Sequence, residues 1–116
     1  YEAGSFAAVM SNSIVHHIPE PATVFAEMVR VAGPDAVLFV RDLLRPAGLA
    51  ELHRLVDAYA AGANDHQRKM FADSLHAALT LDEVRALVAA HGFGPETVRQ
   101  TPDRHWTWIA RKPAAT

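Results

Sequence analysis

Two short apolar runs separated by one amphipathic segment constrain this chain more than any other feature. Phe6-Ala7-Ala8-Val9-Met10 is almost wholly apolar and is bounded by Gly4-Ser5 before it and Ser11-Asn12-Ser13 after it. A run of that length without polar alternation reads as a buried strand of a parallel sheet rather than a half-exposed one. From Pro19 the period changes: Pro-Glu-Pro opens a helix, Phe25, Met28, Val29 and Ala32 recur at helical spacing, and Gly33-Pro34 stops it. Ala36-Val37-Leu38-Phe39-Val40 is a second β-branched and aromatic run that ends in the polar pair Arg41-Asp42. Strand, helix and strand in that order form one βαβ unit, with parallel strands and a right-handed crossover.

Pro46 opens a long helical region. Leu52, Leu55, Val56 and Tyr59 form one apolar stripe, Met70, Phe71, Leu75, Ala78 and Leu79 form another, and Gly62-Ala63-Asn64-Asp65 divides them. Thr80-Leu81-Asp82-Glu83 is a capping box that starts a third helix, with Leu81, Val84, Leu87 and Val88 inward and Gly92 at its end. Glu96 to Thr101 and Trp106 to Arg111 read as strands joined by Pro102-Asp103-Arg104, which suits an antiparallel hairpin. Trp106 and Trp108 share one face of the last strand and His105 and Thr107 the other. The predicted architecture is a βαβ unit, a helical insert and a closing hairpin. Such a parallel sheet has too few helices here to cover both faces, which predicts part of something larger.

Composition then narrows function. Eleven Lys and Arg against 13 Asp and Glu give a net charge of −2, with no basic cluster, so nothing electrostatic points to nucleic acid or an anionic membrane. The absence of cysteine excludes a disulfide framework and thiolate metal sites. No run is long enough to span a bilayer and no signal peptide opens the chain, so a cytoplasmic location is the expectation.

In open α/β sheets, ligands lie beyond the carboxyl ends of the parallel strands. Here those ends are Ser11-Asn12-Ser13, running into Ile14-Val15-His16-His17-Ile18, and Arg41-Asp42. The small polar triplet serves either a ligand or an ordinary turn. His16 and His17 are adjacent, so in an extended segment they point to opposite sides, and no HExxH or i,i+4 histidine pair supports a metal site. Substrate contact, proton transfer and a plain structural role all stay open for them. His53, His66, His76, His91 and His105 are scattered and read as surface residues. Asp42 is placed for binding or general-base work, or pairs with Arg41 to order the loop; Arg45 competes for the same carboxylate. GxSxG is absent, and Gly92-Phe93-Gly94 closes a helix instead of opening one, so neither a serine hydrolase nor a dinucleotide fingerprint is present.

The stretch FAAVMSNSIVHHIPEP, then FAEMVRV, then VLFVRD resembles the C-terminal half of class I S-adenosylmethionine-dependent methyltransferases, of the type 11/12 kind. The resemblance runs through nearly the whole chain. It implies a Rossmann-like α/β sheet of order 3-2-1-4-5-7-6, of which residues 1–116 form the C-terminal part of a single domain, with a helical insert at about 46–79. It implies S-adenosylmethionine as cofactor and a small-molecule methyl acceptor; the histidine spacing already argues for no metal. Ser11, Asn12 and Ser13 would lie along the methionine part of the cofactor, and His16, His17 and Arg41 would line the acceptor side. His17 and Asp42 are the catalytic candidates, and the insert would build part of the acceptor lid.

Two positions depart from the family: Ala7 stands where aspartate is usual, and Gly33-Pro34-Asp35-Ala36 replaces a Lys-Pro-Gly-Gly type turn. The glycine-rich loop and the acidic residue that hold methionine and ribose have no counterpart, so the chain alone is expected to bind cofactor weakly or not at all. The other reading is a non-catalytic binding or dimerisation module derived from the same fold. Either way the strand at 6–10 has an open apolar edge, which predicts a homodimer joined there. Val9→Pro is expected to abolish that association in sedimentation experiments; an unchanged dimer would refute the edge contact.

Overall fold

A computed structural model describes residues 1–12, 15 and 18–113. Its elements, in chain order, are β1 (Phe6–Asn12), α1 (Pro21–Val31), β2 (Ala32–Leu43), α2 (Leu49–Tyr59), α3 (Asp65–Ala77), α4 (Leu81–Ala89), β3 (Val98–Gln100) and β4 (His105–Arg111). The four strands make one sheet in the order β1-β2-β4-β3. β1 and β2 are parallel, and β4 runs antiparallel to both β2 and β3. The expected βαβ unit, helical insert and closing hairpin are therefore all present. No helix among the described residues is long and apolar enough to cross a membrane.

Local chemistry explains where the elements begin and end. Pro21 supplies the first turn of α1, where its missing N–H is no loss. The helix ends at Val31, and Lys112 Nζ donates to the carbonyls of Val29 (2.9 Å) and Ala32 (2.8 Å) just beyond it. β2 is longer than the apolar run at 36–40 because backbone pairing to β1 and β4 extends it at both ends. Gly33 is needed at its start: a Cβ there would stand 3.0 Å from the Gly4 carbonyl and 3.3 Å from that of Phe6. β3 is shorter than expected, since Pro95–Thr97 forms a 3-10 turn before Val98. The Thr80–Glu83 capping box closes as read, and Asn64 and Gln67 form a second one at α3. α4 ends in a Schellman arrangement, with Gly92 at φ +85°, its N–H on Ala89 O, and Phe93 N–H on Val88 O.

Because side chains alternate along a strand, the sheet has two distinct faces. The first carries Val9, Leu38, Val40, Asp42, Trp106 and Trp108, and α1 and α4 cover it. Phe25 of α1 sits against both indoles, 6.2 Å from Trp106 and 5.4 Å from Trp108, and Phe93 meets Trp108 edge-on at 5.3 Å. The second face carries Met10, Phe39 and Ile109 in one cross-strand row, with Met10 73% and Ile109 55% exposed. Only its far end is covered, where Leu43 packs under a separate small core of Leu52, Leu55, Val56 and Leu75 from α2 and α3.

Tyr59 and Met70, expected inward, are exposed. Tyr59 lies at the last residue of α2 and leans out to the β3–β4 turn, where its hydroxyl donates to the Asp103 carboxylate (2.8 and 3.0 Å). Arg104 stacks over its ring at 3.8 Å.

Phe25→Ala removes an aromatic side chain that meets both tryptophans and is expected to cost about 3–5 kcal/mol. Urea unfolding followed by far-ultraviolet circular dichroism measures it; a loss under about 1 kcal/mol would mean the aromatic cluster is not the keystone of the first face.

Candidate functional site

The carboxyl ends of β1 and β2 lie side by side, with Asn12 in register with Arg41 and Ser11 with Val40. Alternation sends Arg41 to the second face and Asp42 to the first, so the two adjacent charges do not pair. Asp42 is 1% exposed, and its two carboxylate oxygens accept backbone N–H bonds, one from Val15 at 2.6 Å and one from Leu43 at 2.8 Å. Bonds from neutral donors to a carboxylate contribute on the order of 1.5–3 kcal/mol each. This geometry makes Asp42 a fastener between the exit of β1 and the end of β2. Arg45 does not compete for it: its Nε donates to Ala78 O at 2.8 Å and its Nη1 lies 3.4 Å from Glu83.

Arg41 turns instead to His105, with Nη2 to Nδ1 at 3.3 Å. This corrects the surface reading of His105, which is 7% exposed, whereas His53, His66, His76 and His91 are exposed as expected. The cause is the insert, which folds over the end of the second face where Leu43 and His105 are paired. Burial first, then the neighbouring Arg41 and Arg104 charges, push the His105 pKa below its ordinary 6.5, although Asp42 and Asp103 act the other way. The ring is therefore neutral at pH 7. Since a guanidinium only donates, Nδ1 accepts and the proton sits on Nε2. The sequence signal for His105 was partial: its alternation with two tryptophans fixed its face, but not what covers that face.

Ser13, His16 and His17 lie outside the described residues. Ser11 is half-buried on the first face and Asn12 is exposed on the second. Beyond the end of β2 a cavity of about 620 Å3 opens between α2, the start of α4 and the β3–β4 turn, with Arg45, Glu51, Asp82, Arg85 and Asp103 among its walls. A second cavity of about 400 Å3 lies between the start of α1 and the α3–α4 connection, and Arg45 and Glu83 belong to its lining. Both sit at the sheet edge where the topology places ligands. The larger wall is held by Asp103, whose carboxyl is kept below its usual range first by the Tyr59 hydroxyl and then by Arg104 and Arg54.

A parallel β1–β2 pair joined by α1, followed by helices and a terminal antiparallel strand inserted between β2 and β3, is the order 4-5-7-6 of a Rossmann-like methyltransferase sheet. The chain has the class I S-adenosylmethionine-dependent methyltransferase fold. Residues 1–40 match the family model of the methyltransferase domain, which takes in β1, α1 and most of β2. Among solved structures, an arsenic(III) S-adenosylmethionine methyltransferase from Chlamydomonas reinhardtii matches 98% of this chain at 20% identity and TM-score 0.57. A candidate methyltransferase from Bacillus halodurans matches 98% at 16% identity and TM-score 0.63. A Bordetella parapertussis protein thought to be exported matches 97% at 17% identity and TM-score 0.63. The chain spans 39%, 73% and 41% of these three proteins respectively. No curated protein sequence matches it.

The lowered His105 pKa has a measurable consequence. The fold favours the neutral ring, so the stability His105 contributes is complete above its ordinary value of 6.5 and is lost as pH falls through its lower folded value. Urea midpoints taken from about pH 7.5 down to about pH 5 are expected to fall less steeply in His105→Gln than in the unaltered chain. Parallel curves would show that His105 is not held neutral by the fold.

Proposed function

We propose that this chain is the acceptor-side, C-terminal part of an S-adenosylmethionine-dependent methyltransferase acting on a small molecule. The observation that carries the reading is the strand order with its parallel β1–β2 pair, which sets the two carboxyl ends and two cavities at one edge of the sheet. The family match over residues 1–40 supports it independently of the sheet.

The residues at the end of β1 suit the cofactor in kind. Ser11 and Asn12 offer a hydroxyl and an amide, and the outer edge of β1 has no strand partner among the described residues, leaving backbone groups beside them. Ser13 completes the triplet in sequence. When bound, S-adenosylmethionine supplies an activated methyl group on a sulfonium, so little further activation is asked of the protein. The protein's task is then alignment and exclusion of water. Asp42 serves alignment by fixing Val15 to the end of β2, and so the path of the chain that leaves β1. For proton removal, where an acceptor needs it, His17 and Asp42 both keep their candidacy, since each Asp42 oxygen accepts only one of these two amide bonds.

A second reading, a non-catalytic binding or dimerisation module, draws on the same Asp42 geometry, because the carboxylate at the mouth of β2 is already committed to backbone amides. Isothermal titration separates the two. S-adenosylmethionine and S-adenosylhomocysteine are titrated into this chain and into the chain joined to whatever its reading frame encodes before Tyr1. Binding by the longer chain with weak or no heat from the shorter is the expected result; no heat from either would favour the non-catalytic module.

A further inference from the structure

Nine arginines punctuate this sequence, and eight of them are neutralised or anchored in recognisable ways. Arg30, Arg45, Arg54, Arg68 and Arg104 each have a carboxylate within 4 Å. Arg85, Arg99 and Arg111 donate to backbone carbonyls. Arg41 is the exception. Among the described residues its guanidinium meets neither a carboxylate nor a carbonyl, and its one side-chain partner is the Nδ1 atom of His105. The neighbouring acid cannot serve, because Asp42 projects to the opposite face of β2 and its oxygens are held by Val15 and Leu43.

That leaves a half-buried cation with most of its five donors uncommitted, at the edge of the sheet where ligands bind. It stands in a cross-strand row with Asn12 of β1 and Thr107 of β4, whose hydroxyl is paired with that of Thr101 at 2.5 Å. A neutral imidazole accepts one N–H and fixes the plane of the guanidinium, but it contributes no negative charge. The planar fork that remains matches a carboxylate or a phosphate, and such charge-assisted pairs are about twice as strong as neutral ones.

We propose that Arg41, oriented by His105, is an anion subsite that takes the carboxylate or phosphate group of the acceptor molecule. The identification of the anion's bearer as the methyl acceptor rests on the methyltransferase reading; the anion site itself does not. In this arrangement Arg41 touches the ligand and His105 is a positioning residue. The acceptor class follows: a small molecule with an acidic group at some distance from the atom to be methylated.

The test uses the whole chain, labelled with 15N, titrated with sodium acetate and separately with methyl phosphate at constant ionic strength held by chloride. Side-chain signals of Arg41 and His105 are followed. The expected result is a saturable shift of both with at least one of the two probes, weakened tenfold or more in Arg41→Gln and unchanged in Arg99→Gln. Arg41→Lys keeps the charge, protects the test should the glutamine variant fail to fold by circular dichroism, and is expected to weaken binding because the fork is lost. Saturation by acetate alone identifies a carboxylate ligand, and saturation by methyl phosphate alone a phosphate ligand. Shifts that do not saturate, or that persist unchanged in the folded Arg41 variants, overturn the subsite. S-adenosylmethionine binding is measured in parallel on the chain extended upstream of Tyr1. An anion site in a protein that never binds this cofactor would stand while the methyltransferase reading fell, and cofactor binding without an anion site would do the reverse.

Discussion

The alternation of β2 is the constraint from which the rest of the molecule follows. This central strand has partners on both edges, so its register is fixed twice, and each residue is committed to one face. Ala36, Leu38 and Val40 go to the face covered by α1 and α4, and they carry Asp42 with them into a place where no water reaches. A carboxylate there is tolerable only with its oxygens occupied, and the amides of Val15 and Leu43 occupy them. The same alternation sends Arg41 the other way. A one-residue slip would put the arginine among the tryptophans and the aspartate on the open face.

The covered face shows which forces dominate. Both indole nitrogens of Trp106 and Trp108 are buried without an acceptor among the described residues, a cost on the order of 1–3 kcal/mol apiece. The cost is borne because each ring fills a large volume against Phe25, Val84, Val88 and Phe93, and aromatic side chains bury more area than any others. Helix α4 is placed by the same cluster, held at its start by the Thr80–Glu83 box and at its end by Gly92. Its first turn can then serve as a wall of the larger cavity.

Local signals in the sequence were good guides wherever a local cause decides the outcome. Periodicity, proline and glycine placement and the capping box found β1, α1, the core of β2 and all three later helices, and resemblance supplied the sheet order. The run at 6–10 reads as a buried strand but is an open sheet edge, whereas three other misreadings share one cause, which is tertiary contact. Tyr59 completes an apolar stripe by spacing, yet its hydroxyl is drawn to Asp103, forty-four residues away. His105 looks like one more scattered histidine until the insert folds over it. Arg41 and Asp42 look like an ion pair because they are neighbours in the chain, and being neighbours in a strand is what keeps them apart. Ser13, His16 and His17 lie outside the described residues, so that part of the site rests on the sequence alone.

The bond from Tyr59 to Asp103 joins α2 to the turn that feeds directly into β4. The cavity beyond β2 has Glu51 on the helix side of that joint and Asp103 on the turn side. Three residues beyond Asp103, inside β4, stands Trp106, followed by Trp108. The two indoles lie in a dry aromatic cluster whose emission depends on small changes in ring geometry. Tryptophan emission is therefore the natural optical readout to follow in any titration of that cavity.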